Sequence, residues 1–100
     1  MAYAFNDDKS KVDVTKGFAV RKTYTAQSSS PTITYTYSEL GLTAGKRYTG
    51  FATMGPLIQG KQVGCGSVPI SISETNHNVS FSTSMTVGAT VDIRYMFFEL

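Results

Sequence analysis

Apolar and polar residues alternate with a period of two along most of this chain, the pattern of a strand with one buried face. Thr32-Ile33-Thr34-Tyr35-Thr36-Tyr37 shows it best: Ile33, Tyr35 and Tyr37 face one way and three threonines the other. Phe18 to Gln27 sets Phe18, Val20 and Tyr24 against Arg21, Thr23 and Thr25. Tyr48 to Met54 is a further strand, with Phe51 on one face and Tyr48 and Met54 on the other, and Gly55-Pro56 is expected to end it. Val68 to Ser73 alternates again, although Pro69 confines it to a sheet edge or a strand start. In Val79 to Val87, Val79, Phe81, Met85 and Val87 share one face. Thr90 to Leu100 carries Val91, Ile93, Tyr95 and Phe97 inward and Asp92 and Arg94 outward. Phe98 and Leu100 join that second face, so this end is apolar on both sides, as in a central strand or one covered by a partner.

Turn signals separate these runs. Ser28-Ser29-Ser30-Pro31 is a loop, Gly60-Lys61 suits a hairpin between Leu57-Ile58 and Gln62-Val63, and Gly64-Cys65-Gly66 is a flexible or bulged link. Glu74 to Asn78 and Gly88-Ala89 are turns. No helical period, internal repeat or domain boundary stands out. Seven or eight short strands at roughly ten-residue spacing predict an all-β fold: an antiparallel, jelly-roll-like β-sandwich over residues 18–100.

The stretch from Leu42 to Tyr48 predicts how one end of that sandwich closes. Leu42 is an apolar plug, Gly45 supplies a turn, and Tyr48 opens a strand, which suits a tyrosine corner whose phenol tethers to backbone a few residues upstream. Ahead of the sandwich, residues 1–17 form an extended N-terminal arm or edge strand, with Val12 and Val14 in a possible short strand ended by Gly17. Tyr3, Phe5, Val12 and Val14 are too apolar for a free tail, so the arm is expected to dock on a neighbouring subunit. Phe98 and Leu100 complete the expected oligomer or particle interface.

Composition narrows the chemistry. Hydrophobic residues make up 41% of the chain, enough for one core, and a domain this small gains from oligomerisation. Charged residues are only 16% and the net charge is +2, with the basic residues scattered in pairs such as Arg21-Lys22 and Lys46-Arg47. Nucleic-acid binding by counterion release needs a concentrated patch and is not expected. No apolar run of about 18 residues and no leader pattern is visible, so neither a membrane span nor a secretory signal is expected. A single cysteine, Cys65, has no internal disulfide partner, and no adjacent base activates it. His77 is the one histidine, set in a turn, so no site of two imidazoles exists within one chain. Asp92 and Arg94 read as a neutralised surface couple rather than half of a carboxylate pair. No catalytic, metal-binding or cofactor-binding residue is nominated. The strand tyrosines offer one alternative: Tyr24, Tyr37 and Tyr95 could line a shallow groove for a cell-surface glycan.

Three segments carry a family resemblance. The corner Leu42-Thr43-Ala44-Gly45-Lys46-Arg47-Tyr48 and the close Ile93-Arg94-Tyr95-Met96-Phe97-Phe98-Glu99-Leu100 resemble jelly-roll modules of phage tail and baseplate proteins. The opening Met1-Ala2-Tyr3-Ala4-Phe5-Asn6-Asp7-Asp8-Lys9-Ser10-Lys11-Val12 is similar to N-termini of short structural proteins of phages and prophages of gut Firmicutes. The resemblance implies a non-enzymatic virion protein without cofactors, assembled in the host cytoplasm: a capsid decoration, head-fibre or tail-associated subunit. Its expected partners are other copies of itself, as a trimer, and other virion proteins. Tryptophan is absent, whereas carbohydrate-binding jelly rolls expose several, so assembly ranks ahead of the glycan alternative.

Overall fold

The computed structural model describes residues 14–100. A single 3-10 turn, Val14–Lys16, leads into eight strands: β1 (Gly17–Thr25), β2 (Thr32–Thr36), β3 (Tyr48–Ile58), β4 (Lys61–Gln62), β5 (Gly66–Val68), β6 (Ser71–Ser73), β7 (Asn78–Ser82) and β8 (Thr90–Glu99). One helical turn, α1 (Tyr37–Leu40), follows β2. All pairings are antiparallel. The larger sheet runs β1-β8-β3-β4 with β5 also on β3, and the smaller one runs β2-β7-β6. This is the expected all-β, sandwich-like architecture.

The first strand pairs with the last and the second with the last but one, so the chain is a doubled ribbon rolled over itself. The ribbon stays double between the sheets. The connections after β1 and before β8 run side by side, joined by Ala26 N to Ala89 O and Gly88 N to Ala26 O, each 2.9 Å, and by Met85 N to Ser29 O at 2.9 Å. The inner faces bury Ile33 of β2, Val79 and Phe81 of β7, Ala52 of β3, and Val91, Ile93, Tyr95 and Phe97 of β8. Gly50 stands opposite Phe97, and a Cβ there would overlap the Met96 carbonyl and crowd the Phe97 ring.

Five local expectations change. Gly55-Pro56 does not end β3, which continues to Ile58. On the flank away from β8, β5 pairs with residues 52–54 and β4 with 57–58, so Pro56 falls in the gap between them, where its missing N–H is tolerated. The run from Val68 to Ser73 is two strands, because Pro69 carries the chain from the larger sheet (β5) to the smaller (β6). The run from Val79 stops at Ser82, and Val87 lies exposed in the following loop. Tyr37 belongs to α1 rather than to the strand before it. Thr36 caps this turn with a capping box: its hydroxyl accepts from Glu39 N–H, and Glu39 Oε1 accepts from Thr36 N–H at 2.9 Å. Thr36-x-x-Glu39 was the available signal. Gly41 then leaves the turn at φ 77°, a left-handed conformation suited to glycine. The hairpin between β3 and β4 turns on Gln59 and Gly60 rather than on Gly60-Lys61, since Lys61 already pairs with Ile58; both turn residues are at positive φ, the type I′ geometry that matches strand twist.

Candidate functional site

Strand register sorts the outer face of the larger sheet into rows, since residues directly opposite share a face. Reading β1, β8 and β3 across, the rows are Gly17-Phe98-Thr49, Ala19-Met96-Phe51, Arg21-Arg94-Thr53 and Thr23-Asp92-Gly55. The Met96-Phe51 row therefore adjoins a row with two arginines, with the Phe98 row beyond it. Phe51 is 49% exposed, a large aromatic ring in water at the middle of a sheet. Beside it, Met96 and Phe98 are half-buried and Ala19 is exposed.

Asp92 is the anomaly of this face, because it points outward and yet is fully buried. Its Oδ1 accepts from Arg21 Nε at 2.6 Å and its Oδ2 from Arg94 Nε at 3.0 Å. Over the neighbouring Gly55 the chain of β4 folds back: a Cβ at Gly55 would overlap the Gly64 carbonyl oxygen and crowd the Gln62 side chain. Gln62 Nε2 then donates to the Asp92 carbonyl at 3.3 Å. Glycine at 55 thus lets a loop close over the acid. Burial opposes ionisation of Asp92, but the hydrogen bonds and positive charge of Arg21 and Arg94 outweigh it and hold the carboxyl below the usual aspartate range. The sequence reading of Asp92 and Arg94 as a surface couple is therefore incomplete. Arg21 lies 71 residues away from Asp92 in sequence, and only the register of β1 on β8 brings it there.

The tyrosine corner has its tether: Tyr48 Oη accepts from Thr43 N–H at 3.0 Å. Leu42 is buried beneath it, and Gly45 turns at φ 89°. The Tyr48 ring stands edge-on to Tyr37 (6.1 Å) and to Phe18 (6.3 Å), tying the corner to α1 and to β1.

Near this corner, Thr36, Tyr37, Ser38, Leu42, Ala44, Asn76 and His77 line an open hollow of about 360 Å³. His77 has φ 54°, and its carbonyl accepts from Tyr37 N–H at 2.8 Å. No hydrogen bond joins the His77 ring to Ser38 or to an acid, and no cluster of three metal-ligating side chains occurs, among the described residues. Among the described residues, no nucleophile in this hollow is hydrogen-bonded to a base.

The remaining nominated residues are dispersed. Tyr37 and Tyr95 are buried, so they cannot form a glycan platform, and only Tyr24 is partly open to solvent. Both buried hydroxyls lack a hydrogen-bond partner among the described residues. Burial pushes the Tyr95 phenol well above its ordinary pKa, with the nearby Tyr35 adding to the shift. Tyr3, Phe5 and Val12 lie outside the described residues. Val14, expected in a short strand, opens the 3-10 turn instead, and Gly17 begins β1 rather than ending a strand. Phe98 and exposed Leu100 lie at one end of the outer face, where Leu100 N–H donates to the Arg47 carbonyl at 2.9 Å. Sequence reasoning missed Phe51 and Met96 as surface residues; their same-face positions on β3 and β8 follow only from register. No protein-family model, curated protein or solved structure matches this chain.

Proposed function

We propose that this chain is a non-enzymatic structural subunit of a phage particle: a capsid decoration, head-fibre or tail-associated protein. It works by adhesion to other copies of itself, as a trimer, and to other virion proteins. One observation carries the adhesive part of this reading. The outer face of the larger sheet leaves Phe51, Met96 and Phe98 side by side with Ala19 on a rigid three-strand ladder. Contiguous exposed apolar surface of this kind marks interaction sites in small soluble domains. Low overall charge supports the same reading, since few charges need to be desolvated when such faces meet. The phage setting rests on the resemblance of the corner, the last strand and the N-terminal segment.

Light scattering on the purified full chain tests the adhesive part. The expected result is a mass above the 10.8 kDa protomer that falls on dilution and in Phe51→Ser. A protomer mass at high concentration, together with no affinity for phage shells or tail parts, would end the proposal.

A further inference from the structure

We infer that the outer face of the larger sheet docks an acidic peptide segment of a partner chain. The segment's carboxylate is held between the free ends of Arg21 and Arg94, and its apolar neighbour lies over Phe51 and Met96. This deepens the assembly reading by naming the surface and the chemistry of what it takes.

Charge complementarity is the first argument. Arg21 and Arg94 are directly opposite each other across β1 and β8, an arrangement of like charges that is unfavourable by itself. One carboxylate serves both, so the three groups keep a net charge of about +1. Asp92 has both oxygens occupied and is sealed on its β3 side by Gln62 and Gly64, so among the described residues that surplus is left uncancelled. The arginine side chains are 59% and 52% exposed. Only their Nε atoms bond to Asp92, and no hydrogen bond among the described residues takes up their Nη groups. Two guanidiniums anchored at Nε present their outer N–H groups in a fixed place. That is the geometry that binds a carboxylate, with little side-chain freedom left to lose.

Spacing is the second argument. Along β8, Phe98, Met96 and Arg94 succeed one another on one face in steps of two residues, roughly 6.8 Å each. An extended peptide laid along the strand repeats that step. An acid preceded at two-residue intervals by two apolar residues therefore reaches the arginine row, the Met96-Phe51 row and the Phe98 row together. Tyr3-Ala4-Phe5-Asn6-Asp7-Asp8 of this same sequence has that order, which makes it the natural probe.

The test is an NMR titration of the full chain carrying Phe5→Ser and Asp7→Asn, so that its own copy of the motif cannot compete. The probe is a capped synthetic hexapeptide, Tyr-Ala-Phe-Asn-Asp-Asp. Saturable shifts at the amides of Arg21, Phe51, Arg94 and Met96 are expected. Binding should weaken at least tenfold when both probe aspartates are replaced by asparagine, and again in Arg94→Gln. Phe51→Ser, which leaves the ion group untouched, should weaken it independently. Shifts that map to the His77 hollow, indifference to the aspartates, or equal shifts with inorganic phosphate and none with peptide would overturn the inference. Light scattering and phage-particle binding keep the two proposals apart. Peptide binding by a chain that stays a protomer and ignores phage shells and tail parts sinks the assembly reading alone, and an oligomer deaf to the peptide sinks this one alone.

Discussion

The two faces of β8 come from one ten-residue strand and solve opposite problems. The inner face, Val91, Ile93, Tyr95 and Phe97, is dry and half aromatic: Tyr95 and Phe97 stack at 5.7 Å, and Tyr35 and Phe81 meet the Tyr95 ring edge-on. The outer face holds Asp92, Arg94, Met96 and Phe98. Each face encloses one polar group that apolar packing does not explain. Asp92 is sealed and fully partnered, whereas the Tyr95 hydroxyl is sealed and unpartnered among the described residues. The difference teaches that being enclosed and being satisfied are separate properties. A buried charge with two good donors can be maintained on the nominal outside of a sheet, while an idle hydroxyl in the core costs free energy unless a partner is found.

Substitutions can break that comparison at either face. The largest effect is expected on the inner one, where Phe97→Ala should destabilise by roughly 4 kcal/mol in chemical denaturation, because it opens a cavity in the core beside Phe18 and Tyr95. On the outer face, Arg21→Ala with Arg94→Ala should cost about 3 kcal/mol by leaving a buried carboxylate unpaired. Asp92→Asn should cost less, about 1–2 kcal/mol, since the guanidiniums it frees are already in water. The same acid predicts a pH dependence. An ordinary aspartate titrates near 3.8, and Asp92 in the folded chain titrates lower. Its stabilisation is therefore present above that value and is lost as pH falls through the lower one; thermal melts should lose a step on the acid side in Asp92→Asn. Tyr95→Phe should raise stability by about 1 kcal/mol, as it removes a hydroxyl with nothing to bond while keeping the ring. Smallest of all, Phe51→Ser should move stability by no more than about 0.5 kcal/mol while changing the mass in solution.

Much of the inner face was readable as sequence. Val91, Ile93, Tyr95 and Phe97 alternate without interruption, and the Leu42, Gly45, Tyr48 spacing implied the tether that Tyr48 makes to Thr43. Alternation failed where distant chain or a local cap overrides it. Pro56 looked like a strand end, but β4 and β5 leave room for it between them. Tyr37 continued the alternation of β2, yet the Thr36 cap turned it into a helix. The outer face was the least legible. Asp92-x-Arg94 shows one arginine only. The second arrives by register, and the burial arrives through a loop that crosses Gly55. Tyr37 and Tyr95 looked available for a sugar because alternation gives the side of a sheet and not what covers it.

The nested pairing of the ribbon sets an order of events. The middle strand of the larger sheet is the last one made, so β1 and β3 have no shared neighbour until Thr90 to Glu99 leave the ribosome. Until then Phe18, Val20 and Ala52 wait with their core faces in water, and ring closure across some seventy residues has to precede most of the stabilising contacts. Acquisition of structure should therefore be slow and all at once, and a chain stalled before Val91 should be a substrate for chaperones rather than a half-built sandwich.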